Sequence, residues 1–290
     1  MIVVDKPAGW TSHDVVNRVR RLMQTKKVGH LGTLDPSATG VLPVVVGRAT
    51  RLAQFFTRND KVYEAVIRFG FSTDTYDAEG KPASPEVPVS LSEAEVERHL
   101  AAFRGIFQQT PPPVSAKKVA GVPAYKLARK QMPVVLPPVE VEVYELSLLD
   151  VDGACARVRA HCSAGTYVRA IAHDLGVQIG CGAHLAALRR TASGDFRIEQ
   201  AHTLERLAEL AGADQIAQAV IPAAELLPDF PSQFVDEATE GRIRQGRDFP
   251  VSPFRENRAS RYVKAISRGG QLVAIGELKL PNVCHPMLVF

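Results

Sequence analysis

The chain has 290 residues, 46% hydrophobic and 23% charged, the balance of a soluble globular protein with room for one large domain or two. No apolar run approaches membrane-spanning length, the opening MIVVDKPAGW is not patterned as a signal peptide, and the four cysteines form no CxxC pair. Membrane and disulfide-scaffold classes therefore fall away, and reduced thiols in a cytoplasmic protein are expected. Net charge is a mild +4, but residues 1–60 carry nine Lys/Arg against four acids and residues 231–290 nine against six, while the middle holds seventeen against twenty-one. Basic ends around an acidic middle suit a polyanion gripped from two sides.

Ile2-Val3-Val4 is a short strand candidate, and Asp5-Lys6-Pro7-Ala8-Gly9 reads as a turn. A helix follows with Val15, Val16, Val19, Leu22 and Met23 on one face and Thr11 or Ser12 as its cap. Its other face and exit carry Arg18, Arg20, Arg21, Lys26 and Lys27 with no acid among them, which suits phosphate contacts. Then comes Gly29-His30-Leu31-Gly32-Thr33-Leu34-Asp35-Pro36-Ser37-Ala38-Thr39-Gly40, in which one carboxylate stands among glycines and small hydroxyl residues. Pro36 bars a helix from running through Asp35, and Gly32 and Gly40 permit the backbone angles of a tight loop. No Gly-Lys-Ser/Thr closes the segment as in a phosphate-binding loop.

Asp60 to Gly70 is β-branched and aromatic, typical of a strand, and the adjoining FSTDTYDAEGKPASPEVPVS reads as a loop. Ser92-Glu93-Ala94-Glu95 opens a helix with Val96, Leu100 and Phe103 inward. A stiff segment from Gln109 ends in Lys117-Lys118, and a short helix is expected over Gly121 to Lys130. Val139 to Leu149 and Ala154 to His161 form a hairpin around Asp152-Gly153. Cys162 to Gly176 is a loop entering a helix that Gly176 should end. Arg169 falls in its first turn, where the helix dipole disfavours a cation, so an anionic partner is expected. Leu204 to Val220 is amphipathic and helical, Pro222, Pro228 and Pro231 break up the chain after it, and Tyr262 to Ser267 pairs with Leu272 to Leu278 as a hairpin. His161, Cys162, His173, Cys181 and His184 lie close in sequence, but only Cys181-x-x-His184 has ligand-like spacing. Structural zinc sites usually show two such pairs, and no metal is expected.

The segment GHLGTLDPSATGVLPVVVGRATR resembles the catalytic motif of the TruB family of tRNA pseudouridine synthases, GHxGTLDPxAxGxLxxxxGxxT, with Asp35 on the catalytic aspartate and His30 on the loop histidine. The rest of residues 1–200 is similar to that family in order. DKPAGWTSHD matches its first motif, in which Lys6 and Pro7 support the loop. KVYEA places Tyr63 on the family tyrosine, and TDTYDAEG follows TDTxDxxG. QTPPPVSAKK, Gln109 to Lys118, matches QxPPxxSAxK, with Val114 where tyrosine is usual. Gly121 to Lys130 matches GxxxYxxAR. GTYVRAIAHDLG places Tyr167 and Arg169 in GTYxRxxxxDLG, the arginine that pairs with the catalytic carboxylate, and GAHLAALRR places Leu188 in the active site.

The resemblance implies an α+β fold of the pseudouridine synthase type, a mixed and mainly antiparallel sheet with flanking helices, over residues 1–229. Residues 230–290, rich in short strands and basic loops, are similar to a small β-rich PUA-like RNA-binding domain. The implied activity is isomerisation of uridine-55 in the T-loop of tRNA, bound through its T-arm stem-loop by a monomer. Breaking N1–C1′ and forming C5–C1′ involves no redox change and consumes no water, so no cofactor is expected. Asp35, Tyr63 and Arg169 would carry the chemistry, with His30, Tyr167, Leu188, Lys6 and Lys117 meeting the RNA. Two other classes fit parts of the pattern. A non-catalytic tRNA-binding module would not need Asp35 as an acid, and a glycoside hydrolase would need a second carboxylate that no motif supplies.

Overall fold

The structure, a computed structural model, describes residues 1–115, 117–119, 121–124, 136–254 and 259–290. Most of the helix expected over Gly121 to Lys130, Tyr125 included, lies outside the described residues. The main sheet runs β1 (Ile2–Lys6), β2 (Val28–His30), β3 (Thr39–Val46), β4 (Lys61–Phe69) and β5 (Gly105–Gln109) in sequence. After a two-stranded ribbon of β6 (Lys118–Val119) and β7 (Val122–Pro123), it continues with β8 (Val139–Asp152), β9 (Cys155–Cys162), β10 (Ala183–Ser193) and β11 (Phe196–Arg197). Its spatial order is β1-β3-β10-β4-β9-β8-β5, with β2 on β3 and β11 on β10. All neighbours are antiparallel except β10 and β3, which run parallel through Arg189↔Thr39 and Arg190↔Gly40.

The continuous apolar runs of β1 and β3 follow from burial on both faces. Ile2, Val4, Leu42 and Val44 enter one core, which the helices Ser12–Leu22, Glu93–Leu100, Val168–Ile179 and Leu204–Gly212 cover. Their sequence neighbours Met1, Val3, Val41 and Val45 point the other way and pack with Ile266, Leu272, Ile275 and Phe290 from the C-terminal part. That part is a second sheet of β12 (Ser232–Val235), β13 (Phe249–Pro250), β14 (Tyr262–Ser267), β15 (Leu272–Leu280) and β16 (Val283–Val289), in the order β12-β14-β15-β16-β13.

Thr11, not Ser12, caps the first helix in a reciprocal box with Asp14, which leaves the Ser12 hydroxyl free to bind the backbone of Leu34. The second helix starts as expected, with the Ser92 side chain accepting from Glu95 N–H. Gly176 does not end its helix. The helix runs on to Ile179, and Gly180 caps it at φ +89°. Gly176 is small because the chain returns against it: a Cβ there would lie 2.1 Å from Ala183 N. Two glycines four residues apart thus serve two purposes, close approach and a left-handed cap.

Candidate active site

Two separate stretches, residues 6–12 and strand β10, hold the loop bearing Asp35. Ser12 Oγ accepts from Leu34 N–H at 2.9 Å and donates to Leu34 O at 3.0 Å. Lys6 is fully buried, and its ammonium donates to Pro7 O at 2.8 Å and Pro36 O at 3.0 Å, while Gly9 N–H reaches Pro36 O at 2.9 Å. From β10, Arg190 lies 1% exposed and donates through Nε to Val41 O (2.7 Å) and through Nη2 to Gly32 O (3.0 Å). Gly40, at φ +101°, lets β3 pass so close that a Cβ would sit 2.2 Å from Arg190 O. Adjacent Arg189 faces the other way and binds Asp5 at 2.8 and 3.1 Å.

Arg169 meets Asp35 in a bidentate contact, Nε to Oδ2 at 3.0 Å and Nη2 to Oδ1 at 3.3 Å. The guanidinium is buried and its remaining donors are also used. Nη2 reaches Val114 O at 3.0 Å, and Nη1 reaches Thr75 O at 3.1 Å and Asp77 Oδ2 at 3.2 Å. Asp77 is buried too, its Oδ1 accepting from Thr75 Oγ1 (2.6 Å) and Glu79 N–H (3.1 Å). Arg169 thus has the anionic partner expected from its place in the first turn, and a second one. Because Val114 contributes its carbonyl, the departure from tyrosine there leaves this contact unchanged. Tyr167 stands at the start of that helix without a side-chain cap, and the buried Gln109 fixes it: Tyr167 N–H donates to Oε1 at 2.8 Å, and Nε2 donates to Tyr167 O at 3.1 Å.

Asp35 and Arg169 stand at a cavity of about 280 Å³ whose walls include Tyr63, Tyr167, Leu188, Lys61 and Arg190. Asp35 keeps 38% of its side-chain exposure, facing this space. Burial pushes its pKa above the ordinary carboxylate value and Asp77 adds to that, while Arg169 and Lys6 oppose it. Tyr63 is buried with Arg190 beside its hydroxyl, and desolvation raises its pKa, so it stays a neutral phenol. Lys61 lies half-buried at the wall, and desolvation followed by Arg190 lowers its pKa.

Of the residues singled out in the sequence, Asp35, Tyr63, Arg169, Tyr167 and Leu188 come together around this cavity. Three do not line it. His30 lies half-buried on β2 with Nδ1 lacking a hydrogen-bond partner, and Lys117 is half-buried. Lys6 turns its ammonium to backbone carbonyls with none of its surface exposed, so it supports the loop and has no face left for RNA. Asp77, Lys61, Gln109 and Arg190 do not stand out as site residues in the sequence, though each sits within one of the family motifs. A buried guanidinium with five donors, more than Asp35 alone accepts, is what calls for Asp77.

Burial lowers the Lys6 pKa from 10.5 to about 8. Between those values the unfolded chain binds more protons than the folded one, so this group's contribution to stability rises with pH. The unfolding free energy of the wild type minus that of Lys6→Met should therefore increase by about 2–3 kcal/mol from pH 7.5 to 10. Urea melts at a series of pH values measure it, and a flat difference would show that Lys6 is not held desolvated.

Comparison with known proteins shows the family. The TruB family pseudouridylate synthase N-terminal domain matches residues 20–168, and the tRNA pseudouridylate synthase B C-terminal domain matches residues 169–227. The chain is 62% identical over 289 residues to tRNA pseudouridine synthase B of Solibacter usitatus, covering 100% of this chain and 99% of that one. It is 43% identical over 298 residues to the protein of the same name from Thermobifida fusca, covering 100% and 98%. Among solved structures it is similar to a Cbf5-Nop10-Gar1 complex (TM-score 0.74, 26% identity, 99% of this chain and 83% of that one). It also resembles an H/ACA RNP bound to a substrate RNA containing 2′-deoxyuridine (TM-score 0.72, 25% identity, 100% and 84%). With both TruB domains matched in order and full-length relatives at this identity, the chain belongs to the TruB family of pseudouridylate synthases.

Proposed function

We propose that this chain is the tRNA pseudouridine-55 synthase of its source: an isomerase that flips a T-loop uridine into the cavity, breaks N1–C1′, turns the uracil and joins C5 to C1′. The observation that carries the reading is the Asp35 carboxylate, held in a bidentate contact by a buried Arg169 at the edge of a cavity walled by Tyr63. Arg169 opposes the desolvation that raises the Asp35 pKa and aims the carboxylate, so that it can act on C1′, on C6 or on a sugar proton. A stacked base costs a few kcal/mol to extrude, and Tyr63 returns about 1–3 kcal/mol by stacking on it. Tyr167 and Leu188 also wall the space for the base, and His30 and Lys117, which do not line it, are proposed as contacts for the rest of the RNA. The test is incubation with an unmodified tRNA transcript, without cofactor or metal. Pseudouridine at the T-loop uridine supports the reading, and none at any uridine refutes it.

The division proposed is a catalytic part, residues 1–229, and a PUA-like RNA-binding part, residues 230–290, acting as a monomer in the cytoplasm on the T-arm stem-loop. No helix among the described residues is long and apolar enough to cross a membrane. RNA would also cross the first helix, where Trp10, 37% exposed, stands beside Arg18 and Arg21 in an open hollow next to the Asp35 loop. An exposed indole sharing a hollow with two arginines suits a base and its phosphates. Arg18→Gln with Arg21→Gln should raise KM several-fold and reduce the slope of log KM against log salt by about one per lost phosphate contact, with kcat unchanged. Equal slopes would exclude this face from binding.

A further inference from the structure

Tyr76 and His173 stack face to face, with ring centroids 3.7 Å apart and planes 9° from parallel. Each is tied to one partner of the Arg169–Asp77 contact. Tyr76 directly precedes Asp77 in the chain, and His173 lies one helical turn beyond Arg169 on the same face of its helix. Both fall where the patterns TDTxDxxG and GTYxRxxxxDLG leave the residue open, so the family motif does not account for them.

The backbone gives the stack a task. Tyr76 has φ +67°, a left-handed conformation that a bulky side chain rarely adopts and that persists only where surroundings enforce it. The bend turns Asp77 inward: Tyr76 O accepts from Leu185 N–H at 3.0 Å, and Thr73 Oγ1 donates to Asp77 O at 2.7 Å. These bonds fix the loop to β10 and to itself, whereas the ring stack joins the loop directly to the helix. His173 Nδ1 has no hydrogen-bond partner, and burial lowers the ring's pKa, so a neutral imidazole lies flat on the phenol.

We propose that Tyr76 and His173 are a positioning pair, clamping the loop that carries Asp77 to the helix that carries Arg169, and through them fixing the direction of the Asp35 carboxylate. The kinetic part rests on the pseudouridine synthase reading. Loss of the stack loosens a contact needed in the reacting geometry and not in RNA binding, so kcat moves and KM does not.

His173→Ala and Tyr76→Ala should each lower kcat by roughly tenfold with KM within about twofold, the scale of a small misplacement. The double variant should be no slower than the slower single, because both remove one interaction. His173→Phe should recover most of the loss. His173→Leu, which keeps the bulk without the ring, serves if alanine leaves a hole the fold does not tolerate. Unchanged kcat, a change confined to KM, or additive losses would overturn the proposal. A wild type that makes no pseudouridine would fail the synthase reading, and a crystal structure of His173→Leu then decides separately. The Arg169–Asp77 contact intact overturns the clamp, and its loss supports it.

Discussion

Asp35→Asn should lower turnover by roughly 10³-fold or more while leaving tRNA affinity within a few-fold, the signature of a group that acts in the transition state. Asparagine keeps the shape of the carboxylate and one acceptor for Arg169, so the cavity and the RNA surface stay as they are. What disappears is the charge. The pH dependence carries the same logic. On the proposed mechanism the acid form of Asp35 is inactive, and burial raises its pKa, so the acid limb of kcat/KM should lie above the ordinary value of 3.8 and rise with pH through the folded-state pKa. The stability term has the opposite sign. A native carboxyl that holds its proton more tightly than the unfolded chain contributes less stability as pH rises through that window. Asp35→Asn should therefore be at least as stable as the wild type at pH 7, separating lost chemistry from lost folding. Single-turnover assays, filter binding and thermal melts on the same preparation measure the three quantities. Turnover within tenfold of wild type would remove Asp35 from the chemistry.

The local signals that sequence carries were legible where chain and tertiary structure ask for the same thing. Residues 262–267 and 272–280 form the expected hairpin, as do 139–152 and 155–162, because alternation and a turn residue suffice there. Strand β4 lies within the expected run, and Ser92 caps its helix. Other features depend on contacts between distant segments. Ala183–Ser193 carries no strong strand pattern, yet it is the strand that joins β3 to β4 and so brings residue 35 to residue 63. Gly176 and Gly180 cannot be told apart without the returning chain at Ala183. Within the site, the Asp35–Arg169 pair came from family resemblance, not from spacing. Asp77 and Gln109 stood in plain view but had no distinguishing composition, because their importance lies in satisfying a buried guanidinium and an uncapped helix end.

Truncation after residue 229 should abolish cooperative folding of what remains, a larger effect than removal of a detachable RNA grip. The reason is the second core. Met1, Val3, Val41, Val45, Leu52 and Phe56 on one side share it with Ile266, Leu272, Ile275 and Phe290 on the other. Phe55 packs edge-on at 5.2 Å against both Phe230 and Tyr262, and the buried Lys264 donates to Ala224 O and Leu226 O at 3.0 Å each. Fully burying one such apolar side chain contributes about 1.5–3 kcal/mol, so re-exposing several removes most of a typical stability of about 5–15 kcal/mol. The same β1 and β3 positions alternate with those that build the core beneath the Asp35 loop, so the damage reaches the active site. The expected outcome for residues 1–229 is an insoluble or non-cooperatively melting product. A soluble fragment with Tm within a few degrees of the full chain would show that this core is dispensable. RNA binding by the C-terminal part is therefore tested in the full chain, by Arg242→Gln, Arg247→Gln and Arg268→Gln at exposed positions. These should raise KM for whole tRNA and flatten its salt dependence without changing kcat, and leave a short T-arm stem-loop nearly unaffected. If both substrates respond alike, the cations of residues 242–268 serve solubility, and the RNA is held by the catalytic part alone.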